Sequence, residues 1–284
     1  MKFCKKYNLV ILLLISLLLT SCNTGVNTYN NLKDNILKVH FIDVGQGDSI
    51  LLSFNNHHML IDSGTLESSD NLIKYLKRNN IKKFDYVLAT HPHDDHIGSM
   101  KYVIKEFKIE NFYAPKIVSE ESSFQDMVNY LRIKNLKIKT ARNGVIFNLG
   151  DMIHCEMLSP IRSTYDNLNN YSAVLKVRYG DISFLFMGDA ELESELDILK
   201  EKTDVNSTVL KVGHHGSNTS TSELFLKEVS PKIAVISCGK HNMFNHPSKD
   251  ILKKLIDLDV KIYRTDIDET VVLTTNGKTI SKLY

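Results

Sequence analysis

Three imidazoles and two carboxylates stand together in His91-Pro92-His93-Asp94-Asp95-His96. Imidazole and carboxylate are preferred ligands for zinc, manganese or iron. In an extended loop, residues two apart point the same way, so His91 and His93 can reach one ion. Asp95 and His96, where the chain bends into a following helix, can reach a second, and Asp95 is also taken as a catalytic residue. Asp189 closes the apolar run Phe186-Met187-Gly188-Asp189 and is placed to bridge two ions, or else to cap a helix over 190–200. His214 and His215 close Val212-Gly213-His214-His215-Gly216-Ser217; at least one is expected to be a ligand, with His214 favoured. Two ions in such a cluster would hold a water whose pKa falls from about 15.7 to about 7, giving hydroxide at neutral pH. No Gly-x-Ser-x-Gly nucleophile motif points to a covalent alternative.

The elements that must position these groups follow from periodicity. Strands are predicted at 36–42, 49–54, 58–62, 84–89, 136–140, 152–157, 173–179, 182–187, 208–213, 233–238, 260–264, 269–274 and 279–283. Helices are predicted at 70–78, 97–107, 122–132, 190–200, 222–228 and 248–256; Ile97, Met100, Val103, Ile104 and Phe107 share one face of the second. The histidine cluster falls in a strand-to-helix turn. Gly45-Gln46-Gly47-Asp48 lies between two strands and reads as a tight hairpin turn, not a dinucleotide fingerprint. The mixture predicts a layered α/β domain over 36–284.

The chain has 284 residues, 43% hydrophobic and 24% charged, which excludes a disordered chain. Residues 1–22 look like an address. Lys2, Lys5 and Lys6 precede an apolar run from Leu9 to Leu19, too short to span a bilayer, and Leu19-Thr20-Ser21-Cys22 resembles a lipobox. Cys22 is the expected lipidation site, and the expected location is the outer face of a bacterial cell membrane, held by a lipid anchor only. Residues 23–35 read as a polar tether. Without the leader the chain holds 32 basic and 33 acidic residues, a net of −1, so nucleic-acid binding must rest on a local patch. Lys74, Lys77, Arg78, Lys82 and Lys83 read as a solvated helix face. Cys155 and Cys238 remain, as a disulfide or as two buried thiols.

His91-x-His93-x-Asp95-His96, the later Gly188-Asp189 and a still later histidine resemble the metallo-β-lactamase-fold hydrolases. Phe41-Ile42-Asp43-Val44-Gly45-Gln46-Gly47-Asp48, Leu60-Ile61-Asp62-Ser63-Gly64, Asn169-Asn170-Tyr171-Ser172, Leu210–Ser217 and Asn245-His246-Pro247 narrow the likeness. Together they resemble the extracytoplasmic hydrolase domain of the ComEC DNA-uptake family, in a free-standing, lipid-anchored form. The resemblance implies an αββα sandwich with metals at one edge between the sheets. It implies His91 and His93 on metal 1, Asp95 and His96 on metal 2, Asp189 bridging, and His214 completing metal 2. Asp62 would brace the metal loop, and His246 at the rim would bind a phosphate oxygen or protonate a leaving group. His215 and Ser217 are candidate supporting or substrate-contacting groups. The wider superfamily gives metal 1 a third histidine. Here His154 reads as a surface residue, and Asn169 or Asn170 holds the matching place in chain order. The expected cofactors are two divalent ions, Zn2+ or Mn2+, an amide ligand favouring the harder ion.

The expected function is metal-dependent hydrolysis of phosphodiesters in DNA or another nucleic acid outside the cell. Alternatives are a phosphodiesterase on cell-surface phospho-alcohol esters such as phosphorylcholine esters, a lactonase or β-lactamase, and a non-catalytic surface binding protein. The substrate is the one partner expected besides the membrane.

Overall fold

The structure, a computed structural model, describes residues 35–283. The expected leader, Cys22 and residues 23–34 of the tether lie outside the described residues. Leu37–Tyr284 forms one compact unit.

Two sheets face each other. In chain order the strands are β1 (Leu37–Phe41), β2 (Ile50–Phe54), β3 (His57–Ile61), β4 (Lys83–Leu88), β5 (Lys108–Ala114), β6 (Ile138–Thr140), β7 (Ile146–Leu149), β8 (Ile153–Met157), β9 (Leu175–Tyr179), β10 (Ile182–Phe186), β11 (Val209–Lys211), β12 (Ile233–Ile236), β13 (Lys261–Arg264), β14 (Val271–Thr275) and β15 (Ile280–Leu283). The first sheet runs β15-β14-β1-β2-β3-β4-β5-β6 and the second β13-β12-β11-β10-β9-β8-β7.

Alternation builds the layers. Leu37, Val39 and Phe41 of β1, with Ile50, Leu52 and Phe54 of β2, point between the sheets and meet Val177, Phe184 and Phe186. Leu51 and Leu60, on the opposite face, pack under helices. The helices are α1 (Ser69–Arg78), α2 (Asp94–Ile97), α3 (Met100–Glu106), α4 (Ser122–Ile133), α5 (Leu192–Lys200), α6 (Glu223–Val229), α7 (Lys249–Asp257) and α8 (Thr265–Asp268). α1, α3 and α4 cover the first sheet through Leu72, Leu76, Met100, Val103 and Met127. α5, α6 and α7 cover the second through Ile198, Phe225, Leu226, Ile251 and Leu255. The result is helix, sheet, sheet, helix.

Strand direction decides where chemistry can sit. β3 to β6 run parallel, and so do β10 to β13. Groups in parallel α/β sheets collect beyond the carboxyl ends of strands. Here the carboxyl ends of β3 and β4 lead to Asp62 and His91, and those of β10 and β11 lead to Asp189 and His215.

Two local readings differ from expectation, and one left open is decided. β5 and β7 lie where no strand was predicted, because the exposed Lys108 and Glu110 of β5 and the exposed Ile146 and Asn148 of β7 obscure the apolar alternation. The helix expected over 97–107 is two pieces, α2 and α3, separated at Gly98-Ser99. Cys155 and Cys238 are free, buried thiols, and burial pushes each up to about 12.

Candidate metal centre

Asp62, at φ 56 directly after β3, is fully buried. Its Oδ1 accepts from Thr90 N at 2.8 Å, and its Oδ2 accepts from Thr90 Oγ1 at 2.6 Å and from His96 Nδ1 at 2.8 Å. That fixes the start of the histidine loop. It also commits His96 Nδ1 as a donor, which leaves His96 Nε2 for the interior of the site. Nε2 lies 3.1 Å from Asp189 Oδ1 and 3.3 Å from His215 Nε2.

His215 is held the same way. Its Nδ1 donates to the Ser237 carbonyl at 3.0 Å. Its Nε2 lies 3.2 Å from Asp95 Oδ2 and 3.4 Å from Asp189 Oδ2. Asp48, His96, Asp189 and His215 thus bring ligand atoms within 4.8 Å of one another, all buried. Burial opposes charge on these groups, yet the opposite charges win. Asp189 and Asp62 hold His96 well above the ordinary imidazole range, and Asp189 and Asp95 push His215 up to about 10. His215 and His96 in turn keep the Asp189 carboxyl well below the usual carboxylate range, and both do so for Asp95.

The favoured histidine changes with the geometry. His215, rather than His214, enters the group with Asp95 and His96. His214 and His215 both take left-handed φ, 45 and 54, so successive rings leave the backbone on different sides. His214 turns its Nδ1 to Glu191 Oε1 and Thr219 Oγ1, each at 3.1 Å. Its Nε2 faces Asp189 Oδ2 at 3.7 Å. His91 Nε2 stands 3.9 Å from the same oxygen and 3.1 Å from His93 Nδ1. A second, looser set of nitrogens therefore gathers about Asp189 Oδ2. Burial, with His96 adding to it, keeps His91 well below the ordinary range and neutral.

Asp189 does not cap α5; Glu191 occupies that position. Its backbone N–H donates to Ser172 Oγ, which also lies 3.4 Å from His91 Nδ1. The two asparagines separate. Asn170 is committed to Glu191 N and Glu193 Oε2, whereas Asn169 gives its Nδ2 to Glu191 and leaves a buried Oδ1 without a partner. His154 is half-buried on β8, across from Arg178. Ser217 is tied to Thr219 within its own turn. His246 packs 5.5 Å from His214 and 5.7 Å from Phe244, ring centre to ring centre. Burial, then His214 and His215, lower it to about 4, so the ring is neutral at pH 7 and suited to hydrogen bonding.

Sequence reasoning missed three residues. The 42–49 connection is a longer loop than a tight turn, and it delivers Asp48 into the site. Gly47 permits this: a Cβ there would lie 2.1 Å from the Asp95 carbonyl oxygen. Lys211 is fully buried and places its Nζ 2.8 Å from Asp48 Oδ2. Glu191, two residues past Asp189, orients His214. The Gly-x-Gly-Asp and Asp-x-Glu spacings were the available signals.

A cation fits this donor set. Asp48 Oδ1, Asp189 Oδ1, Asn169 Oδ1, Ser237 Oγ and His246 Nδ1 are buried around the site without a hydrogen-bond partner. Such orphaned groups are costly unless something else satisfies them.

Fold, strand-end placement and ligand set define a metallo-hydrolase of the metallo-β-lactamase class. Residues 42–241 match the Metallo-beta-lactamase superfamily, and the chain belongs to it. It is 32% identical over 252 residues to ComE operon protein 3 of Bacillus subtilis (strain 168), covering 82% of this chain and 32% of that protein. It is 30% identical over 227 residues to Competence protein ComA of Neisseria gonorrhoeae, covering 79% of this chain and 30% of that one. The chain spans about a third of the length of these relatives. The metallo-beta-lactamase fold protein YhfI from Bacillus subtilis shares the fold, with TM-score 0.56 and 13% identity over 84% of this chain and 99% of that one.

Proposed function

We propose that the chain is a metal-dependent phosphodiesterase acting on DNA or another nucleic acid outside the cell. The observation that carries this is Asp189: a buried carboxylate set between imidazoles from both sheets. Asp95, His96, His215 and Asp48 would hold one divalent ion with Asp189. His91, His93 and His214 would hold another about Asp189 Oδ2. Zn2+ and Mn2+ suit these donors. When bound, such ions supply Lewis-acid charge stabilisation and an acidified water.

The protein's own groups do the positioning. Asp62 and the Ser237 carbonyl commit His96 and His215 to Nε2 ligation, and Glu191 does so for His214. The neutral His246 ring, beside His214 and His215, is suited to a hydrogen bond with a substrate oxygen. The nucleic-acid substrate is supported by a relative named as a competence protein. A lipid-anchored Cys22 would hold the domain at the outer face of the membrane. Among the described residues no helix is long and apolar enough to cross one. Continued membrane retention of a Cys22→Ser variant would sink the anchor.

One observation favours a second reading, cell-surface phospho-alcohol esters. A cleft of about 870 Å3 is lined by Glu67, Asp94 and Asp95 with Met243 and Phe244, beside a Lys101–Asp126 ion pair at 2.6 Å; the Glu67 and Asp94 carboxylates and the Phe244 ring suit a quaternary ammonium. The deciding assay loads the protein with Mn2+ or Zn2+ and offers single- and double-stranded DNA beside a chromogenic phosphodiester, with Asp189→Ala as control. DNA cleavage lost in the variant supports the nuclease. Cleavage of the small diester alone moves the assignment to phospho-alcohol esters. Full activity in Asp189→Ala refutes both.

A further inference from the structure

A second pocket, of about 420 Å3, is lined by basic side chains. Its walls include Lys116, Thr140, Arg142, Arg162, Ser163 and Tyr171. Lys116 follows β5 and Arg142 follows β6, at the carboxyl edge from which His91 leaves β4. Tyr171 ties the pocket to the metal centre, since the next residue, Ser172, contacts His91 and Asp189. Arg162 is pinned by Asp197 at 2.7 Å and by Glu193, so its donors are engaged and its charge is offset. Lys116 and Arg142 are exposed and carry no ion pair among the described residues. Two free cations beside the hydroxyls of Thr140 and Ser163 form a site for an anion. The opening to solvent leaves room for a chain to continue.

We propose that this pocket binds a phosphate adjacent to the scissile one, so that the substrate is a polymeric phosphodiester. The inference rests on the phosphodiester reading above and selects its nucleic-acid form. Phosphate contacts by Lys and Arg position a strand without reading its sequence.

The test uses a fluorescent single-stranded oligonucleotide, with anisotropy read in an Asp189→Ala background. Adding Lys116→Ala and Arg142→Ala together should weaken binding about tenfold and lower the salt slope by about 0.7 per cation removed. In the otherwise unaltered protein the same pair should leave kcat/KM for a chromogenic phosphodiester within about twofold. Both residues are exposed, and circular dichroism checks the fold. Unchanged oligonucleotide affinity, or no binding by the parent, overturns the subsite. Equal losses on polymer and small diester overturn it too, since the pocket would then serve the reaction centre itself. Failure of the parent to cleave any diester refutes the hydrolase reading, while the anisotropy still reports on the pocket.

Discussion

Lys211 Nζ lies 2.8 Å from Asp48 Oδ2, and neither side chain reaches solvent. The same ammonium donates to the Val212 carbonyl at 2.8 Å. Asp48 Oδ1 stands 3.6 Å from His215 Nδ1. The pair therefore joins the loop after β1 to the strand that delivers His215. Removing one partner of a buried pair leaves an uncompensated charge, at a cost of about 3–5 kcal/mol. Lys211→Met should lose that much in urea unfolding. The double variant Lys211→Met/Asp48→Leu should recover part of it. A single variant as stable as the parent contradicts the assignment.

Histidine roles separate by metal content. In His215→Ala, the ion held with Asp95 and His96 should be lost in equilibrium dialysis. Glu191→Ala should weaken the other ion by about 10–100-fold, through loss of His214 orientation, and spare the first. Equal effects on both ions, or none, would contradict the two sets drawn here.

Metal binding should release protons. Burial lowers His215 but Asp189 and Asp95 raise it to about 10, so without metal it is protonated at pH 7. Ligation through Nε2 requires that proton to leave. Metal affinity should therefore rise with pH from neutrality toward about 10. Calorimetry in two buffers of different ionisation enthalpy reads the release directly; identical heats would contradict it. For the metal-free chain, the raised His215 contributes stability fully below its unfolded value of about 6.5. That contribution is lost as pH rises through about 10.

Gly47→Ala tests the approach of two loops. Its φ is 134, and the new Cβ would meet the Asp95 carbonyl oxygen at 2.1 Å. The loops must part, moving Asp48 and Asp95 together. Expected are a destabilisation of at least about 1 kcal/mol and a fall in metal affinity. Unaltered metal affinity would show that the loops move independently.

The histidine loop, Asp189 and most strands were legible because ligand spacing and period-2 alternation are local. His215 over His214 was not, since two left-handed residues in succession decide which ring turns inward. Asp48 was hidden for a similar reason. Gly-Gln-Gly-Asp reads locally as a turn, and only the approach of the α2 backbone makes it part of a site. Lys211 sits in an apolar run, and its partner lies 163 positions earlier, beyond any periodic signal.

Asp62, His91, Asp95 and His96 hang from the first sheet, and Asp189, His214 and His215 from the second. Neither half is a catalyst alone. A fragment ending before β8 would keep three imidazoles and no bridging carboxylate, a weak chelator. The remainder would keep the bridge with nothing to face it. An ion at this seam would act as a clasp between the halves.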